Sequence, residues 1–172
     1  MTNRSRAGES RRSAPRILAL DLMSKLGWAC RANDGSLHYG TETFKLKGIE
    51  STGMRFMRFR DWLDEIVVEV VKPEAIFFEQ LVGFPRKNMG RDSSIYHGFA
   101  AHLTEYCDRA GYEYQGVSVG TIKKHITGVG NAPKAAVIEA VRKLGYEPGD
   151  DNQADAIALL LYAESLTGKP GA

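Results

Sequence analysis

Two short apolar runs in this chain end abruptly in an acid. Ile17-Leu18-Ala19-Leu20-Asp21 and Ala75-Ile76-Phe77-Phe78-Glu79 each read as a buried strand with a carboxylate at its end. A third segment, Asp151-Asn152-Gln153-Ala154-Asp155-Ala156-Ile157-Ala158-Leu159-Leu160-Leu161, opens a helix with acids and continues as core. A buried carboxylate is costly unless something pairs it. Two unit negative charges about 5 Å apart repel by roughly 3 kcal/mol at an effective dielectric of about 20, so three converging acids call for cations. The usual answer is a pair of divalent metals serving phosphoryl chemistry.

The bulk properties are those of a globular enzyme-sized domain. The chain has 172 residues, 43% hydrophobic and 26% charged, which excludes wholesale disorder and allows one domain with a substantial core. No apolar run approaches the roughly 18 residues of a membrane span, and the N-terminus lacks the apolar centre of a secretory signal. A cytoplasmic protein without a membrane partner is therefore expected. Cys30 and Cys107 form no zinc or redox spacing and read as buried free thiols; His38, His97, His102 and His125 show no zinc spacing either. Net charge is only +2, but it is unevenly placed. Arg4, Arg6, Arg11, Arg12 and Arg16 against Glu9 give the first sixteen residues +4 and leave the remainder near −2. Residues 1–15 read as a disordered basic tail, either a nucleic-acid-binding arm or a solvated leader. The folded domain is expected over 16–166, with 167–172 a flexible C-terminus.

The pattern along the chain predicts five strands, three in succession and two set between helices. Arg16 to Leu22 is a first strand, Gly27 to Cys30 a second, and Leu37 to Phe44 a third, with Asn33-Asp34-Gly35-Ser36 supplying hairpin chemistry between the last two. Short turns make this an antiparallel meander. From Ser51 to Val71 the period lengthens, with Phe59, Leu63, Ile66 and Val70 at helical spacing, and Pro73 stops the helix. Ala75 to Glu79 then returns parallel to the first strand, because a helix separates them. A basic loop over 83–91, a helix over 93–110, a fifth strand over 112–117, and helices over 119–127, 133–144 and 151–165 complete the order.

This order of elements, with its three acidic segments, resembles the ribonuclease H-like fold and more narrowly the RuvC-type Holliday junction resolvases, from about Arg16 to Ser165. The pieces that carry the likeness are Ala19-Leu20-Asp21 with Gly27-Trp28-Ala29, Phe78-Glu79-Gln80, Ile122-Lys123 leading into Gly128-Val129-Gly130, Lys134, and Gln153-Ala154-Asp155-Ala156. The resemblance implies an α/β architecture: a mixed five-stranded sheet flanked by helices. It implies a nuclease domain that cuts branched DNA, above all four-way junctions, as a homodimer; whether a helicase partners it is left open. It also implies two Mg²⁺ ions per active site, with Mn²⁺ able to substitute, and a 5′-phosphate product. A nuclease acting on RNA–DNA hybrids or less selectively on DNA, and a DNA-binding relative without catalysis, are the alternatives.

Residue by residue, the resemblance assigns Asp21, Glu79 and Asp155 as metal ligands, each with a plainer reading as a strand-end or helix-start acid. Members commonly have glycine or proline soon after the first aspartate; here Leu22-Met23-Ser24-Lys25 follows. The family's fourth acid lies three residues before the one matched by Asp155, where this chain has Asn152. Asp151 sits four before, and both spacings share a helix face, so Asp151 is favoured as the fourth catalytic acid with Asn152 as a neutral alternative. Lys123 and Lys134 match positive positions beside the site, where a lysine offsets charge on a pentavalent phosphorane. Phe84, Arg86, Lys87 and Arg91 form a candidate DNA-binding loop, with cations for backbone phosphates and a ring for unpaired bases. Lys45, Lys47, Arg55, Arg58 and Arg60 are candidates to extend a phosphate track. The helix over 93–110, with Ile95, Phe99, Leu103 and Tyr106, is the candidate dimer interface, with ordinary packing on the sheet as the plainer reading and the two compatible.

Overall fold

A computed structural model describes residues 16–81 and 90–167, with the side chains of Val70 and of residues 90–92 left aside. The basic tail, the loop residues Phe84, Arg86 and Lys87, and the last five residues lie outside the described residues. Strands β1 (Ile17–Asp21), β2 (Lys25–Arg31), β3 (Leu37–Thr43), β4 (Ala75–Gln80) and β5 (Glu113–Ser118) form one sheet in the order β3-β2-β1-β4-β5. The first three pair antiparallel, while β4 runs parallel to β1 and β5 parallel to β4. This is the mixed five-stranded sheet the pattern predicts. The turn after Asp21 is made without any positive φ, so the missing glycine or proline does not disturb it.

Helices cover both faces. On one lie α1 (Gly53–Leu63), its π-helical continuation Asp64–Val71, and α2 (Gly90–Ala110); on the other lie α3 (Val119–Thr127), α4 (Lys134–Lys143) and α5 (Asp151–Leu166). Phe59, Leu63 and Ile66 are buried as the spacing predicts. Val67 and Val71 join them because the wider π turn, closed by the Lys72 N–H on the Val67 carbonyl at 2.9 Å, delays the drift of the apolar face. Lys72 ends the helix in the left-handed region, at φ 48°.

Period-two alternation decides which acids meet. On β1, Leu18 and Leu20 pack toward α1 and α2, while Ile17 and Ala19 pack toward α5; on β4, Ile76 and Phe78 repeat the first choice and Phe77 the second. Asp21 and Glu79 continue the Ile17-Ala19 and Phe77 rows, so both carboxylates fall on the α5 face.

The core on the opposite face centres on Phe99. Its ring meets those of Phe44, Phe56 and Phe59 at centroid distances of 5.7, 5.3 and 4.9 Å, and the side chain is fully buried. Phe99→Ala is expected to lower unfolding stability by about 3–5 kcal/mol, measured by urea denaturation. A loss under about 1 kcal/mol would mean that this cluster does not hold α2 to the sheet. Phe99, Leu103 and Tyr106 are thus spent on the protomer's own core, the plainer of their two readings. The outward face of α2 carries Ser94, His97, Ala101 and Asp108 instead.

Candidate active site

Helix α5 reaches the sheet at Gly27, the β2 partner of Asp21. A Cβ on Gly27 would stand 2.0 Å from the Asn152 carbonyl oxygen, so only glycine lets the first turn of α5 lie this close. Ala154, Ala156 and Ala158 keep the helix near the strands along its length. An Arg31–Glu164 pair, 2.6 Å from Nε to Oε1, fixes its far end to β2. The near end is fixed by Asp150. Its carboxylate caps α5 by accepting the Gln153 N–H at 2.9 Å, accepts the Thr41 hydroxyl at 2.9 Å, and pairs with Lys25 at 3.1 Å. Those hydrogen bonds outweigh burial and hold Asp150 below the usual carboxylate range. Asp150 therefore ties β2, β3 and α5 together as a frame residue.

Within that frame, Asp21, Glu79 and Asp155 act on one another. Asp21 is 8% exposed, and burial, then repulsion from Glu79, Asp155 and Asp151, holds its carboxyl well above the usual range against the pull of Lys134. Burial first and Asp155 second push Glu79 up to about 7, opposed by Lys123 and Lys134. Burial raises Asp155 to about 6 although Lys134 and Lys123 work against it, and Asp151 adds repulsion. The positive charge from these two lysines does not balance the acids.

The lysines arrive from two helices, Lys123 from the middle of α3 and Lys134 from the start of α4. The β5 strand runs directly into α3, whose N-cap Ser118 accepts the Thr121 N–H at 3.2 Å and pairs in register with Gln80. Lys123 on this helix donates to the Ala132 carbonyl at 2.7 Å. Lys134, the first residue of α4, hydrogen-bonds the Asp151 carboxylate, which lowers the Asp151 pKa and raises that of Lys134. Asp151 thus stands at the rim of the cluster, while the Asn152 main chain lies against Gly27. The glycines between α3 and α4 form a helix-joining turn: Gly128 is the left-handed cap at φ 80°, and Gly130 packs by the Gly120 carbonyl.

Other candidates fall elsewhere. Arg58 pairs with Glu50, Arg60 with Glu105, and Arg55 donates to the Phe44 carbonyl at 3.0 Å, so these three serve local structure. Arg91 lies in the first turn of α2, its side chain outside the described set. Two residues escaped the sequence reading altogether. Thr41 gave no signal on a polar edge strand, and Tyr96 looked like one more apolar position of α2.

The donors around Asp21 are carboxylate oxygens, which suit a hard divalent cation such as Mg²⁺ or Mn²⁺ in type and charge. Among the described residues, no three His, Cys, Asp or Glu side chains already stand as a closed metal-binding group.

No protein-family model matches the chain. Among solved structures it is similar to Thermus thermophilus RuvC, with a TM-score of 0.67 and 23% identity over 90% of this chain and 99% of that one. It is likewise similar to T. thermophilus RuvC in complex with Holliday junction substrate, with a TM-score of 0.71 and 22% identity over 91% and 99%. The yeast mitochondrial Holliday junction resolvase Ydc2 matches at a TM-score of 0.56 and 11% identity, over 86% and 76%. The chain thus has the ribonuclease H-like fold in the arrangement that RuvC resolvases share.

Proposed function

We propose that this protein is a divalent-cation-dependent endonuclease that cuts branched DNA, with the four-way junction as its preferred substrate. The observation that carries this reading is the placement of Asp21, Glu79 and Asp155. They come from the ends of two parallel neighbouring strands and the start of α5, buried and mutually repelling, with Lys123 and Lys134 short of balancing them. Such an arrangement is unstable by itself and is relieved by the ions the chemistry needs. The fold it shares with RuvC, whose structure with Holliday junction substrate is among those it matches, supports the substrate.

Asp21, Glu79 and Asp155 would hold the cations, with Asp151 joining when Lys134 releases it. When bound, such metals would supply activation of a water and stabilisation of the leaving 3′-oxygen, chemistry that would yield 5′-phosphate ends. The protein's own contributions are distinct. The Asp150 frame holds α5 against β2 and β3, and burial keeps bulk water from screening the site. Lys134, freed from Asp151, and Lys123 can face the scissile phosphate and offset its developing charge. A second copy would present a matching site to the two-fold symmetric junction.

A panel of four-way junction, fork, linear duplex and RNA–DNA hybrid, incubated with Mg²⁺ at equal strand concentration, tests the substrate. The junction is expected to be cut fastest. Faster cutting of the hybrid would move the assignment to a ribonuclease H activity, and cutting of none would remove the nuclease assignment.

The segment 82–89, which connects Leu81 to α2 in sequence, is proposed to grip the branch together with Arg91 of the first turn of α2. Neutralising Arg86, Lys87 and Arg91 should weaken junction binding and reduce the slope of log K against log salt by roughly one for each DNA phosphate left unneutralised. An unchanged slope in a filter-binding titration would show that other cations hold the DNA backbone.

A further inference from the structure

Tyr96 does something its neighbours on α2 do not. Its ring is 4% exposed and packs in the same core as Phe99 and Leu103, but its hydroxyl reaches the end of β4. There the O–H donates to the Glu79 carbonyl at 3.1 Å and accepts the Leu81 N–H at 3.3 Å. A carbonyl and the N–H two residues later point to the same side of a strand. They are the pair that one residue of a neighbouring parallel strand would satisfy. On the β1 side, register pairing stops at Leu20–Phe78, whereas β5 continues to Gln80–Ser118. The hydroxyl, both donor and acceptor, serves β4 as one further residue of ladder where β1 has turned away.

The position of that bond matters because Glu79 is the acid it brackets. Left without it, the last residues of β4 would be held from the β5 side only, with a main-chain carbonyl and N–H unsatisfied beside a buried carboxylate. We infer that Tyr96 is a positioning residue: its hydroxyl pins the main chain on both sides of Glu79 and so aims that carboxylate at Asp21 and Asp155. This rests on the reading of the acid cluster as a cation site. The same hydroxyl fixes Leu81, the point from which the basic loop departs toward α2, so the acid and the loop share one anchor.

Tyr96→Phe keeps the ring in the core and removes only the hydroxyl. Three measurements on the full chain read its effect: Mn²⁺ affinity without DNA, kcat and KM on a four-way junction, and amide exchange at Leu81. Mn²⁺ affinity and kcat are expected to fall roughly tenfold, as when an outer partner of a metal ligand is lost, with KM little changed. Exchange at Leu81 should accelerate. Tyr106→Phe, which alters another buried hydroxyl of the same helix, is the control and should leave Mn²⁺ affinity and kcat unchanged. Unaltered Mn²⁺ affinity in Tyr96→Phe, or an equal fall in Tyr106→Phe, overturns the inference. Wild-type protein that binds Mn²⁺ but cuts no DNA would sink the proposed function alone, since the affinity comparison still decides Tyr96. Wild-type protein that binds no Mn²⁺ would overturn both.

Discussion

Asp21→Asn is expected to abolish DNA cutting and, in metal-free buffer, to make the protein more stable. The first effect follows from removing a carboxylate proposed to hold metal: a loss of several kcal/mol of transition-state stabilisation corresponds to about a thousandfold or more in rate. The second follows from linkage. Burial and mutual repulsion raise the folded-state pKa values of Glu79 to about 7 and Asp155 to about 6, and push Asp21 well up. Between the ordinary carboxylate range near 4 and about pH 7, the folded protein therefore binds more protons than the unfolded chain, and its stability falls as pH rises. Each pKa unit is about 1.4 kcal/mol, so the raised carboxyls together destabilise the metal-free fold by several kcal/mol at pH 8. Asp21→Asn removes one of the charges and a share of that repulsion. Its melting temperature should exceed wild type by several degrees at pH 8, with the difference closing toward pH 5 as the acids protonate. Saturating Mg²⁺ should erase the advantage by stabilising wild type more. A variant that cuts normally, or that is less stable than wild type at pH 8, would remove Asp21 from a repelling metal site.

Gly27→Ala should have the second-largest effect, although it touches no acid. The new methyl would sit 2.0 Å from the Asn152 carbonyl oxygen, inside any tolerable contact, and the obstacle is main chain rather than a flexible side chain. The strand cannot retreat, because Gly27 is paired both to Asp21 and to Thr41. The first turn of α5 must lift, at about 3 kcal/mol. Lifting it carries Asp151 and Asp155 away from Asp21, so Mg²⁺ affinity and cutting should fall together, with the fold retained by the rest of α5. Urea denaturation and Mg²⁺ titration check the two parts separately. Wild-type behaviour in both would show that α5 does not press on β2 as described.

Much of this was legible in the chain because the signals were local. Apolar runs of strand length, the Asn33-Asp34-Gly35-Ser36 turn and Pro73 mark the elements, and the acids that close β1 and β4 mark the site. What escaped depended on contacts distant in sequence. Gly27 stood out as part of a motif, but its reason, the Asn152 carbonyl, lies 125 residues away. Asp150 lies just before a helix, where an acid is commonplace, and nothing near it in sequence reveals Lys25 and Thr41 as partners. Tyr96 has the spacing of a core residue, and its hydroxyl's task is visible only once β4 is seen to outrun β1. For Phe99, Leu103 and Tyr106 the plainer of the two readings holds, because an apolar helix face is equally the mark of a surface that packs on its own sheet.

Three buried, repelling carboxylates are proposed to form a cation-dependent nuclease centre directed at branched DNA. A synthetic four-way junction, labelled in turn on each strand and incubated with Mg²⁺ or with EDTA, tests it most directly. Paired nicks at symmetry-related positions on opposite strands, with 5′-phosphate ends and none with EDTA or with Asp21→Asn, are the predicted result. Cutting that survives EDTA or Asp21→Asn, or an intact junction under Mg²⁺, would contradict it.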